Sequence, residues 1–309
     1  MSIFLILLAK IIPLYVIILL GFIAGKYLEV KRESIASLLI YIIAPFTIFS
    51  GIITLKLSPA VLSLPILFFV VGSLMCAIFY RIGGYLWKTS AKNVLAFTSG
   101  SGNTGYFGLP VVLALFGQDA FGLAIITTLG LILYENSVGF YAIARGQHSV
   151  RESILKLIKL PTLYAFFIAL VINIANIHFS QSVMDVLANF KGAYTILGMM
   201  MIGLGLSSIT KFSIDWKFTN TAFFAKFVVY PLLLITVIAL DIHFFHFYSI
   251  FLYKIMLLMA IVPLASNTVA FATKLNVYPE KAATTVLIST IFALFYIPLV
   301  MSVAQLVLK

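Results

Sequence analysis

The chain has 309 residues, of which 63% are hydrophobic, with only 20 Lys or Arg and 9 Asp or Glu. Charged residues make up about a quarter of an ordinary globular chain, so this composition excludes a cytosolic enzyme, a nucleic-acid binder and a disulfide-stapled secreted domain, each of which needs polar surface or cysteines. At about 20 apolar residues per crossing the apolar content covers roughly ten membrane spans, and the formal net charge of +11 reads as an orientation signal rather than attraction to an acidic partner.

In chain order, apolar runs separated by short polar breaks predict helices at 4–24, 35–53, 60–80, 92–116, 121–144, 160–177, 192–209, 219–240, 250–274 and 282–307. The first run lacks a basic n-region and a small-residue cleavage site and is longer than a signal h-region, so it is expected to remain as the first span. Cys76, the single cysteine, is expected to be a small buried hydrophobe. The longest polar stretch, 145–159, falls near the midpoint, and no segment reads as a soluble domain or a flexible linker.

The basic residues alternate with the predicted connections. Lys26, Lys31, Arg32, Arg81, Lys88, Lys92, Arg145, Arg151, Lys156, Lys159, Lys211, Lys217, Lys274 and Lys281 fall in odd-numbered connections, against Lys56, Lys191 and Lys254 in even-numbered ones. Positive-inside logic places the odd connections in the cytoplasm and both termini on the extracytoplasmic side of the cell membrane. Ten spans divided at the midpoint make two five-helix halves, 1–148 and 149–309, of opposite orientation. That is the inverted-repeat plan of many secondary transporters. Aligning Pro13 with Pro161 supports it weakly and pairs Thr47 with Thr195; Asn103-Thr104 pairs with Asn267-Thr268 only after an insertion.

The fourth span reads Ser-Gly-Ser-Gly-Asn-Thr-Gly-Tyr-Phe-Gly-Leu-Pro over residues 99–110. Four glycines and Pro110 disfavour a continuous helix. In hydrocarbon the freed backbone groups are tolerable only where they line a cavity or are buried in protein, so the break marks a site. The ninth span has a milder version, Val262-Pro263-Leu264-Ala265-Ser266-Asn267-Thr268. Interrupted helices in corresponding positions of two halves point to a transporter's substrate site, although glycines and prolines also serve close packing and kinks in membrane helices. Two half-helix N-termini at the midplane favour an anion, and Asn103 and Asn267 can donate to it. The candidate substrate-binding residues are Asn103, Thr104, Gly105, Tyr106, Pro110, Pro263, Ser266, Asn267, Thr268 and Thr47.

The run Gly102-Asn103-Thr104-Gly105-Tyr106-Phe107-Gly108-Leu109-Pro110, together with residues 263–267 and the ten-helix, termini-out plan, resembles the auxin efflux carrier family. That family is similar in fold to the bile acid:sodium symporters. The resemblance implies an all-α polytopic membrane protein of ten helices in two inverted five-helix repeats, with helices four and nine broken and crossing at the midplane and scaffold and transport subdomains interleaved between the repeats. It implies transport of organic anions, indole-3-acetate in plant members and dicarboxylates such as malate and malonate in bacterial relatives. Asn103 and Pro110 would be first-crossover residues, and Pro263 and Asn267 would belong to the second. The large polar loop between the halves of long plant carriers is absent, so regulation through it is not implied.

Glu135 lies near the bilayer centre of the fifth span, where an ionised carboxylate costs several kcal/mol, so it should face the protein interior, paired or protonated. It reads either as a structural hydrogen-bonding residue or as a coupling or gating group. Lys226, on the eighth span, lies at a compatible depth of roughly 10–14 Å, with snorkelling to the cytoplasmic interface as the plainer expectation. His243 and His246 read as a solvated outer loop rather than a metal site. Thr47 and Thr195 either line the site or bond their own helices.

These expectations describe a secondary transporter of small carboxylate- or auxin-like anions. No nucleotide-binding P-loop is present and no cofactor is expected; a proton or the membrane potential is the expected drive, with sodium-coupled symport as the alternative and a channel as a lesser one. The partners expected are the anion, the lipid bilayer and a second copy in a homodimer, with no nucleic acid.

Overall fold

The computed structural model describes residues 2–144, 160–208 and 213–308. Among these residues it is all-helical: α1 (Ile3–Tyr27), α2 (Arg32–Ile53), α3 (Pro59–Leu86), α4 (Ala91–Gly100), α5 (104–116), α6 (Gln118–Ile143), α7 (Pro161–Ile174), α8 (Gln181–Ser207), α9 (Trp216–Phe245), α10 (Ile250–Ala260), α11 (Ser266–Lys274) and α12 (Pro279–Val307). Seven of these, α1, α2, α3, α6, α8, α9 and α12, are long and apolar enough to cross a membrane. The other five come in shorter pieces, and two pairs, α4–α5 and α10–α11, are each separated by a few non-helical residues. Arg145, Arg151, Lys156, Lys159, Lys211 and Lys309 lie outside the described residues.

The packing places α6 at the centre, against α2, α3, α5 and α10, while α1 runs along α8 and α12 at one side. Outward faces are apolar: Val16, Leu19 and Leu20 of α1, Ile66 and Val70 of α3, and Phe295 and Leu299 of α12 are each at least half exposed. So large an apolar exterior needs hydrocarbon around it. Inside, polar side chains find partners. Asn173 of α7 donates to the Ile52 and Leu55 carbonyls, both at 2.8 Å, closing the C-terminus of α2.

Two details depart from the sequence reading. The helix expected at 192 begins at Gln181, because polarity alone does not stop a helix: the Gln181 amide donates to Asp185 one turn on, at 2.8 Å. The two prolines of the Pro13–Pro161 alignment also sit differently in their helices. Pro13 lies inside α1, whereas Pro161 opens α7, where its missing N–H costs nothing.

Among the described residues the chain also holds five turns of π-helix, at Leu39–Ile43, Thr104–Gly108, Glu135–Gly139, Ala225–Val229 and Asp241–Phe245. Such bulges are rare and concentrate at functional sites. The first four carry or flank the residues described next.

Candidate functional site

The break in the fourth span starts where α4 ends at Gly100 and Ser101 turns extended, its N–H reaching back to the Thr98 carbonyl. Asn103 (φ −75°, ψ 57°) then redirects the chain, and its carbonyl accepts the Gly108 N–H at 2.9 Å, opening the π-turn of α5. Pro110 follows in the first turn of the regular helix, where a missing donor is tolerated. In the second break α10 stops at Ala260 and α11 starts at Ser266.

The two breaks satisfy each other. The Asn103 N–H donates to the Pro263 carbonyl at 2.8 Å, the Asn103 side-chain amide donates to the Ser266 hydroxyl at 3.1 Å, and the Leu264 N–H donates to Ser289 of α12 at 3.1 Å. These bonds replace ladder bonds that the interrupted helices lack, as burial requires. Neither α5 nor α11 has a side-chain cap on its first turn: Asn103 and Ala265 occupy the N-cap positions and neither side chain bonds back. Of their first-turn N–H groups, that of Thr104 donates to the Gly102 carbonyl at 2.7 Å and that of Thr268 to the Ala265 carbonyl at 3.0 Å; the others lie before the first ladder bonds of their helices.

A cavity of about 250 Å³ lies against this junction. Gly102, Asn103, Thr104, Gly105 and Tyr106 line it from the first break and Ala265, Ser266 and Asn267 from the second. Thr47 faces it from α2, Glu135 and Asn136 from α6 and Tyr194 from α8, with Leu160 and Thr162 at the start of α7. Eight of the twelve residues singled out from sequence thus share one space: Thr47, Asn103, Thr104, Gly105, Tyr106, Glu135, Ser266 and Asn267. Pro110, Pro263, Thr268 and Lys226 do not line it. Pro263 contributes its carbonyl to Asn103, and Thr268 is buried with its hydroxyl unpartnered among the described residues. Thr47 also bonds its own helix at Ile43 and the Phe190 carbonyl of α8, at 2.8 and 3.2 Å, while Thr195 bonds only Lys191 of its own helix and stays out of the cavity.

Glu135 is buried, and its carboxylate accepts from the Asn267 amide at 2.6 Å, with the Gly102 N–H also directed at it. This bond crosses from α6 to the second break. Lys226 corrects the sequence expectation: instead of snorkelling it is fully buried, because the π-turn Ala225–Val229 turns it inward. Its ammonium lies 4.2 Å from the centre of the Tyr230 ring and, among the described residues, has no hydrogen-bond partner and no direct ion pair to Glu135. The carbonyl at Phe227 takes the Tyr296 hydroxyl of α12 instead, which steadies the bulge.

Tyr194, Asn136, Thr128 and Thr162 also line the cavity and were not anticipated. Tyr194 packs its ring 6.2 Å from that of Tyr106. Asn136, next to Glu135, was the one with a readable signal, a second polar residue deep in the same span. His243 lies in the π-turn that ends α9 rather than in a loop; it and His246 are exposed, and the buried Asp241 accepts from the Phe247 and Tyr248 N–H groups and the Tyr253 hydroxyl. Among the described residues no cluster of His, Cys, Asp or Glu could hold a metal ion.

The profile of the membrane transport protein family matches residues 6–135 and 144–301. An uncharacterized transporter of Methanocaldococcus jannaschii is 28% identical over 229 residues, spanning 70% of this chain and 74% of its own length. The chain is a multi-pass membrane transporter rather than an enzyme, and it belongs to the membrane transport protein family, that of the auxin efflux carriers.

Proposed function

We propose that this protein is a secondary active transporter of small organic anions, carboxylate- or auxin-like, working by alternating access. Ten spans would form two inverted five-helix repeats, 1–148 and 149–309, with α4–α5 and α10–α11 as the broken fourth and ninth helices. The subdomain carrying the breaks would move, elevator-fashion, against a scaffold in the cell membrane, with both termini outside. A second copy would join through the scaffold.

One observation supports this reading most strongly: two uncapped half-helix N-termini and the amides of Asn103 and Asn267 border a single cavity. Each N-terminus presents roughly half a positive charge, and its first-turn N–H groups other than those of Thr104 and Thr268 remain as donors for a ligand. A carboxylate entering there replaces water with fixed dipoles. Each amide already spends one N–H within the protein and keeps a second for the ligand. Glu135 would act as the coupling group: while it is charged it holds Asn267 and repels an anion, so proton binding and anion binding favour one another.

Uptake into reconstituted vesicles tests the proposal. Radiolabelled malonate or a small monocarboxylate should accumulate saturably and faster with an inward proton gradient or potential. Asn103→Ala should abolish uptake; undiminished uptake in that variant refutes the site.

A further inference from the structure

Among the described residues Lys226 is a buried charge whose position is costly and unexplained by anion binding at the cavity. A buried ammonium without hydrogen bonds is among the least favourable groups a protein can hold, and one aromatic face compensates only in part. It is kept at a particular point. A Cβ placed on Gly102 would lie 2.6 Å from the Lys226 nitrogen and 3.0 Å from a methyl of Val262. Gly102 sits just past the C-terminus of α4 and Val262 just past that of α10. The ammonium therefore reaches the spot where both broken helices end, in the space left by a residue without a side chain.

Helix C-termini carry roughly half a negative charge each. Where transporters break helices, such ends and the unwound carbonyls beside them are where a coupling cation sits. Here Glu135 adds a carboxylate within electrostatic reach of the ammonium. The α4 and α10 ends, Glu135 and the anion's own charge would together call for a positive counter-charge. We infer that Lys226 is a tethered cation, filling with its ammonium the place that a free alkali-metal ion would otherwise have to fill, so that this carrier needs no sodium. The inference deepens the proposed anion site and rests on it, but its signature is separate.

Melting of the purified chain in choline, sodium, lithium or potassium chloride at one ionic strength reads it out. The wild type should melt at the same temperature in all four salts. Lys226→Ala should melt lower in choline and recover saturably with sodium or lithium, because an ion that binds only the folded state stabilises it by mass action. Lys226→Gln, which keeps most of the stem and its packing, should show the same recovery and covers the case of an Ala variant that does not fold. Variants indifferent to the cation, or a wild type that itself gains stability saturably with sodium, overturn the inference. Loss of the anion site would show instead as unaffected uptake in Asn103→Ala, with the salt series unchanged.

Discussion

Helices α1 and α6 are of similar length, yet 72% of the most apolar stretch of α6 is buried inside the protein against 22% for α1. α1 is the more apolar of the two. The order is the reverse of that in a water-soluble protein, where the most apolar helix seeks the core. In a bilayer the tails outside are as apolar as any side chain, so burial no longer follows hydrophobicity. What draws α6 inward is its polar content: Thr127, Thr128 and Asn136 bond carbonyls of their own helix, but the Glu135 carboxylate needs a donor that lipid cannot supply and finds it in Asn267. Polarity in this chain therefore marks the interior, and the interior is where the site lies.

The sharpest way to break that comparison is to disturb the packing of α6 itself. A side chain on Gly130 would overlap the backbone carbonyl of Pro65 on α3, which cannot move aside. Gly130→Leu should cost at least about 1–3 kcal/mol and yield little monodisperse protein on size exclusion; a variant that purifies and melts normally would show that α3 and α6 are not fixed against each other.

Next in size is the Glu135–Asn267 bond between α6 and the second break. Glu135→Leu strands the Asn267 amide and should lower stability by roughly 1–3 kcal/mol, the penalty for a buried polar group left unpaired. Glu135→Gln keeps a hydrogen-bonding partner and should melt close to wild type, yet lose the pH dependence of uptake. If uptake in Glu135→Gln keeps its pH profile, Glu135 is a structural bond and not a coupling group.

A third and smaller effect belongs to the start of α9, away from both helices. Asp215 caps α9 through the Phe218 N–H at 3.0 Å and pairs with Lys281 at 2.7 Å. Desolvation alone would raise its carboxyl, but Lys281 and the Phe218 and Lys217 N–H groups outweigh it and hold the group below its ordinary value. A lowered folded value means that the stabilisation is present above the unfolded carboxylate range near pH 4 and fades as pH falls through the folded value. Asp215→Ala should cost about 1 kcal/mol at neutral pH, mostly the cap, since a partly exposed pair contributes little. The gap between variant and wild-type melting should narrow as the medium is acidified, and a gap constant down to pH 3 would remove the charge from the account.

The contrast also explains what could be read in advance. The breaks at 101–103 and 261–265 were legible because glycine, proline and asparagine signal them locally, with no knowledge of neighbours. The inward position of Glu135 followed from the cost of a charge in hydrocarbon. The burial of Lys226 was not legible, since depth along a span does not say which face points inward. That face is set by a π-turn and by the gap at Gly102, a contact between distant segments. Tyr194 was hidden for a different reason: one aromatic among many carries no pattern.

The smallest effect closes the comparison from the α1 side. Leu19 and Leu20 are 56% and 52% exposed, on a face that the other described residues leave half open. Leu20→Ala in a soluble core would cost about 2–5 kcal/mol. Here the truncated methyl groups exchange protein-facing lipid for lipid, no cavity forms, and the change should stay within about 0.5 kcal/mol, as for substitutions that disturb no packed feature. Melting of Leu20→Ala in lipid nanodiscs measures this directly. A clear loss of stability would mean that this face of α1 is covered by protein in the membrane, and a concentration-dependent loss would identify the cover as a second copy of the chain. An unchanged melt leaves α1 as a lipid-facing wall, and α6, the less apolar helix, as the one on which the fold depends.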